Sequence, residues 1–146
     1  MDAAMGNNAE IQMGQLALQK ASSPDVRSFA QMMIDQHTAA NAQLATLAKS
    51  MNMTLPSGVA PNHRAMMQGM RDLSGTEFDT AYIKQQLGDH AIARDMYDMN
   101  RKNAKDKALK DYAKQTLPTV EAHYERLRTM DTTLAPTAMT TSPTGQ

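Results

Sequence analysis

The sequence predicts an all-α protein, an up-down four-helix bundle with a short extra helix in the crossover between the second and third long helices. Three observations predict it. Apolar residues recur every three or four positions along nearly the whole chain, which is the period of one helical face. No segment alternates apolar and polar residues as a half-buried strand does. Two of the breaks between long periodic segments are short and one is long, so the long helices pair as two hairpins joined by a crossover.

The first helix is expected over about 2–21, with Ala9, Met13, Leu16, Ala17 and Lys20 on one side and Glu10 and Gly14 beside them. The second, 24–51, starts at Ser23, a residue that caps a free backbone N–H, followed by Pro24 at the first helical position. Its stripe runs Val26, Phe29, Ala30, Met33, His37, Ala40, Leu44, Leu47, Met51. The stretch MNMTLPSGVAPN, Met51 to Asn62, has two prolines and a glycine and reads as a loop. A short helix over about 62–73 carries Met66, Met67, Met70 and Leu73 and ends at Ser74 and Gly75. The third long helix, about 76–102, is expected to begin at Thr76, with Asp79 as an acid of the first turn. It continues through Phe78, Tyr82, Ile83, Leu87, His90 and Tyr97. The last, about 106–131, uses Leu109, Tyr112, Ala113, Thr116, Val120, His123, Leu127 and Met130. Pro118 within it removes one backbone donor and should bend the helix or free the Lys114 carbonyl. Residues 1–131 form one domain on this reading. Residues 132–146, TTLAPTAMTTSPTGQ, have little to bury and read as a disordered tail.

Composition excludes several functions. Fifteen Lys and Arg balance fifteen Asp and Glu over 146 residues, and no basic patch suggests a nucleic acid or an anionic membrane as partner. No apolar run reaches the roughly 18–20 residues of a membrane span. The start MDAAMG has no charged segment followed by an apolar one, so a secretory signal is expected to be absent or removed. Without cysteine there are no disulfides, thiolate zinc sites or cysteine nucleophiles. Fourteen methionines and no tryptophan imply a core of Met, Leu and Ala. Neither a nucleophile elbow nor a Gly-rich phosphate loop occurs.

His37, His90 and His123 fall one on each of three long helices, and Glu10 lies on the fourth. At about 1.5 Å per residue, Glu10 stands roughly 19 Å from its hairpin turn, His37 about 22 Å, His90 about 23 Å and His123 about 26 Å. The four therefore meet at one level of the interior. Imidazole and carboxylate together suit one transition-metal ion, Zn, Cu or Fe. Residues with the same placement also suit a buried hydrogen-bond network without metal, and both readings stay open. A Glu-x-x-His pair of the di-iron kind is missing, since Ile34, Leu87 and Val120 occupy the positions three before the histidines. Asp35 is two residues from His37 and so points to another face.

Glu10 before Leu16-Ala17, FAQMMIDQHTAAN from Phe29, FDTAYIKQQLGDH from Phe78 and YAKQTLPTVEAH from Tyr112 resemble the ferritin-like bacterial family known as domain of unknown function 4142. The resemblance covers about Ala3 to Met130. It implies a ferritin-like bundle, exported behind a signal peptide to the periplasm or outer envelope, with no established activity.

Methionine supplies a rival site. His63, Met66, Met67 and Met70 follow helical spacing, and Met96 and Met99 repeat Met-x-x-Met. Thioethers favour Cu(I) or Ag(I), although the same stripe is what core packing produces. The sequence is thus read as a non-enzymatic envelope protein, monomer or dimer, binding one metal ion through Glu10, His37, His90 and His123 in stress response or metal homeostasis. A structural or interaction module is the alternative, and Cu(I)/Ag(I) binding by methionine a second. An enzyme in which an open metal position activates water comes third.

Overall fold

The structure, a computed structural model, describes residues 2–134. Five helices and no strand occur among the described residues: α1 (Asp2–Lys20), α2 (Pro24–Ser50), α3 (Pro61–Met70), α4 (Gly75–Asn103) and α5 (Lys107–Leu134). α1 packs along α2 and α4 along α5, and the two hairpins meet through α1 on α4 and α2 on α5. α3 rests on α1 and α4.

Local chemistry accounts for the ends. Ser23 is extended, accepts from the Val26 N–H at 3.4 Å and precedes Pro24, so α2 starts where the sequence signals it. Asn52 closes α2 with φ of 53°, a left-handed conformation that asparagine tolerates better than most side chains. Close packing of α1 on α2 depends on Gly14. A Cβ there would lie 2.7 Å from Ile34 Cγ1 and 3.0 Å from the Ala30 carbonyl oxygen.

Phe29, Met33, Phe78, Tyr82, Ile83 and Leu127 are fully enclosed and form the centre of the main core. Phe78 stacks on Tyr82 at 5.9 Å, and Phe29 meets Tyr82 edge-on at 6.5 Å. A smaller cluster of Tyr97, Ala113, Leu117 and Val120 lies further along α4 and α5. Between the two, Gln86 and His90 on α4 and His123 on α5 are buried polar residues. A polar layer thus interrupts the core at one level of the bundle.

The structure adjusts several sequence expectations. The short helix ends at Met70 instead of 73, with Arg71 as its C-cap. α4 starts at Gly75 behind Ser74, not at Thr76, and Gly75 leads the chain into the helix with a left-handed φ of 59° that glycine adopts without strain. Asp79 is not the acid of the first turn, a place that Glu77 takes. It is buried and crosses to the α1–α2 connection, where it accepts from the Ser22 N–H (3.1 Å), the Ser22 hydroxyl (2.5 Å) and the Ser23 N–H (2.9 Å). α5 continues through Pro118 and extends to Leu134, three residues into the expected tail; the rest of that tail lies outside the described residues.

Candidate metal centre

α2, α4 and α5 each carry one histidine into the polar layer. Ring centroids lie 5.3 Å apart for His90 and His123, 5.8 Å for His37 and His123, and 6.4 Å for His37 and His90. One nitrogen from each ring lies within 4.8 Å of the other two. No other group of three or more His, Asp or Glu side chains converges in this way among the described residues.

Each ring has one nitrogen committed to an oxygen. His37 Nδ1 meets the Asn7 side-chain oxygen at 2.9 Å, His90 Nδ1 the backbone oxygen of Gln86 at 2.9 Å, and His123 Nε2 the Gln36 side-chain oxygen at 2.6 Å. Carbonyl and amide oxygens only accept, so each committed nitrogen carries the proton. The remaining three, His37 Nε2, His90 Nε2 and His123 Nδ1, are then lone-pair donors. Two of them, on His90 and His123, face each other at 3.3 Å, and His37 Nε2 is buried with no partner.

Protonation does not relieve the crowding. Burial, then the neighbouring imidazoles of His123 and His90, depress His37 to about 3. Burial, then His90 and Arg126, depress His123 to about 4, and burial lowers His90 as well. All three rings are neutral at pH 7, and three lone pairs converge with no hydrogen between them.

This arrangement fits a cation. Two nitrogens bound at about 2.0–2.1 Å in a tetrahedral shell stand about 3.3–3.4 Å apart, the separation found between His90 and His123. Donation of the outer N–H to a fixed oxygen is also how metal-binding histidines are oriented and made more basic.

Glu10 reaches the same level from α1 but stands behind His90, with Oε1 4.0 Å from Nδ1, the nitrogen already turned to Gln86. It is not in the converging set. Its other oxygen accepts from Gln86 Nε2 at 2.6 Å. Burial, only partly offset by this hydrogen bond, raises Glu10 to about 8, so it is protonated at neutral pH. A cavity of about 260 Å³ opens onto all four residues and reaches the surface beside Ile92 and His63.

The methionine residues lie in different surroundings. Met67 and Met70 are buried in the main core with Met66 against it, Met96 packs on the smaller cluster, and Met99 is exposed. His63 stands at the cavity rim, 4.0 Å from Asp89. Asp35 accepts from Gln31 on the exposed face of α2, away from His37.

Sequence reasoning did not single out Asn7, Gln36 or Gln86, the groups that orient the rings. Gln86 stands four residues before His90 and Asn7 three before Glu10, spacings that put each on the same helical face as a residue of the polar layer. An uncharged amide on an otherwise apolar stripe was the available signal.

The chain belongs to the family described as domain of unknown function 4142, whose model matches residues 1–130. No curated protein matches it. Among solved structures it is similar to "CopM in the Cu(II)-bound form", with a TM-score of 0.74 at 18% identity, over 89% of this chain and 90% of that one. At that identity the likeness shows a shared helical-bundle fold.

Proposed function

We propose that this chain is a non-enzymatic metal-binding protein of the bacterial envelope that holds one divalent transition-metal ion through His37 Nε2, His90 Nε2 and His123 Nδ1, in the service of metal homeostasis. The observation that carries the reading is the set of three unprotonated nitrogens facing one point, each held by an oxygen on its far side. Imidazole donors suit Cu(II) and Zn(II), and Cu(II) leads in intrinsic affinity. The Cu(II)-bound state of the similar fold supports the same ion. Glu10 serves behind His90, and the cavity leaves a further coordination position open to solvent.

Envelope residence rests on the family resemblance; no helix among the described residues is long and apolar enough to cross a membrane.

The test uses tag-free, metal-free protein titrated with Cu²⁺ and with Zn²⁺. One equivalent should bind and raise the melting temperature. At a free-ion concentration 100 times Kd the gain is about 2.7 kcal/mol. His90→Ala should abolish it, and a Met66/Met67/Met70 triple variant should keep it. If neither ion raises the melting temperature of the unmodified chain, the proposal is wrong and the polar layer is a hydrogen-bond network. If only Cu⁺ binds and the triple variant loses it, the methionines are the site.

A further inference from the structure

The three histidines are oriented by unlike means. His90 leans on the backbone oxygen of its own helix, and His123 on a single glutamine side chain. His37, the ring furthest from its partners, leans on a chain of side-chain amides. Its Nδ1 meets Asn7 Oδ1 at 2.9 Å. Asn7 Nδ2 donates to Asn41 Oδ1 at 3.0 Å, and Asn41 Nδ2 donates to Asn8 Oδ1 at 2.9 Å. Asn8 Nδ2 then donates to the backbone oxygens of Gly58 (3.0 Å) and Pro56 (3.4 Å) in the α2–α3 loop.

A primary amide is directional, donating at its nitrogen and accepting at its oxygen. The loop carbonyls can only accept, so Asn8 must turn its nitrogen to them and its oxygen to Asn41. That orientation fixes Asn41, which fixes Asn7, whose oxygen is then presented to His37. The imidazole must carry its proton on Nδ1 and leave Nε2 bare. Reversing any amide in the chain sets two donors or two acceptors face to face, a mismatch that is partly buried everywhere but at the exposed Asn8–Gly58 contact.

We propose that Asn8, Asn41 and Asn7 are positioning residues that carry the polarity of the Pro56 and Gly58 carbonyls to His37 and hold it in its metal-binding tautomer, so that the α2–α3 loop sets the affinity of the centre. The proposal rests on the metal reading above for its consequence, but the tautomer it specifies exists in the metal-free protein. The loop thereby becomes the control element of the site. A partner or a substitution that displaces the two carbonyls weakens metal binding without touching a ligand.

The experiment combines ¹⁵N NMR of the histidine side chains in metal-free protein with competition titrations of Cu²⁺ and Zn²⁺. Unmodified protein should show His37 protonated at Nδ1. Asn41→Leu breaks the chain in the middle. It should give a mixture of His37 tautomers and weaken both ions by about 10- to 100-fold, the range for loss of a group that orients a ligand. Asn8→Ala, at the solvent end, should move both readouts the same way by less, and it decides the question if Asn41→Leu does not fold. Adding Asn7→Asp to Asn41→Leu should restore the Nδ1–H tautomer and most of the affinity, because either carboxylate oxygen accepts from His37 however the group is turned.

An unchanged His37 tautomer in both Asn41→Leu and Asn8→Ala overturns the relay, even if affinity falls. So does failure of Asn7→Asp to restore the tautomer. Unmodified protein that binds neither ion while its tautomer still answers to Asn41 keeps the relay and overturns the metal reading. Metal binding with an unresponsive tautomer does the reverse.

Discussion

At the α1–α2 turn the Asp79 carboxylate receives two backbone N–H groups and a hydroxyl, so both of its oxygens are engaged by the protein itself, with three of about four acceptor sites filled. Eleven residues further along α4, about 16 Å away, the layer around His90 is different. Glu10 receives one amide donor, His37 Nε2 and Gln86 Oε1 are buried with no partner at all, and so is Tyr82 Oη in the main core on the near side of the layer. Both regions sit in the same four helices, and both place charge-capable groups in an apolar core. Buried polar atoms without partners are costly and uncommon in native proteins. The saturated region therefore reads as a device that holds a turn, and the unsaturated one as a place kept for something that binds. Substitutions should accordingly act in opposite senses at the two.

The largest effect is expected at Asp79. Asp79→Ala leaves two backbone N–H groups and the Ser22 hydroxyl without their acceptor, and should cost about 3–5 kcal/mol. Asp79→Asn, which keeps one acceptor oxygen, should cost about half as much. Urea unfolding of the metal-free protein measures both. A loss under about 1 kcal/mol for Asp79→Ala would mean that water replaces the carboxylate, and the contrast between the regions would weaken.

Next comes pH. His37 and His123 are depressed to about 3 and 4 from 6.5. Below pH 6.5 the unfolded chain takes up protons that the native bundle refuses. Their contribution is complete above pH 6.5 and is lost on acidification toward pH 4, at about 1.4 kcal/mol per unit for each ring. Glu10 has the opposite sign. Raised from 4.5 to about 8, it keeps a proton that the unfolded chain gives up, so its contribution is full below pH 4.5 and disappears as pH rises through 8. Two histidines outweigh one glutamate on the acid side, and Glu10 acts alone above 6.5. Stability of the metal-free protein should peak near pH 6.5 and fall by about 1.4 kcal/mol per unit on the alkaline side and by at least that much on the acid side, where His90, also lowered by burial, adds to the loss. Glu10→Gln should flatten the alkaline limb and steepen the acid one. Urea midpoints between pH 4.5 and 8.5 decide this, and a curve that is flat from 6.5 to 8 would show that Glu10 is ionised in the native state.

The helices and the level of the site were legible because both follow from counting. Apolar period gives the faces, and a fixed rise per residue places Glu10, His37, His90 and His123 at one height. Counting does not say which way a side chain turns at that height. Hence Glu10 was expected beside the histidines and is found behind His90, where Gln86 holds it. Asp79 was out of reach for another reason. Its partners are 56 and 57 residues away in sequence, and no local spacing records a bond across two helices. The side-chain amides of Asn7 and Gln36, which orient His37 and His123, and that of Gln86, which holds Glu10, matter through donor and acceptor direction, which residue type alone leaves open.

The smallest expected effect is the sharpest test of an unsaturated layer. Tyr82 is fully buried between Phe29 and Phe78, and its hydroxyl has no partner. Burial, with Glu10 nearby, pushes the phenol well above its ordinary range, so it is an un-ionised O–H at pH 6.5. Tyr82→Phe deletes that group while keeping both aromatic contacts. An ordinary buried tyrosine loses about 1 kcal/mol on such a change because a hydrogen bond goes with it. Here nothing is given up and a desolvation cost disappears, so the variant should match or exceed the parent by about 0.5–1 kcal/mol. Melting curves of the two metal-free proteins at pH 6.5 make the comparison. A loss of 1 kcal/mol or more would reveal a bound water or other partner on the hydroxyl, and the layer around His90 would be nearer to the saturated state of Asp79 than its side chains alone suggest.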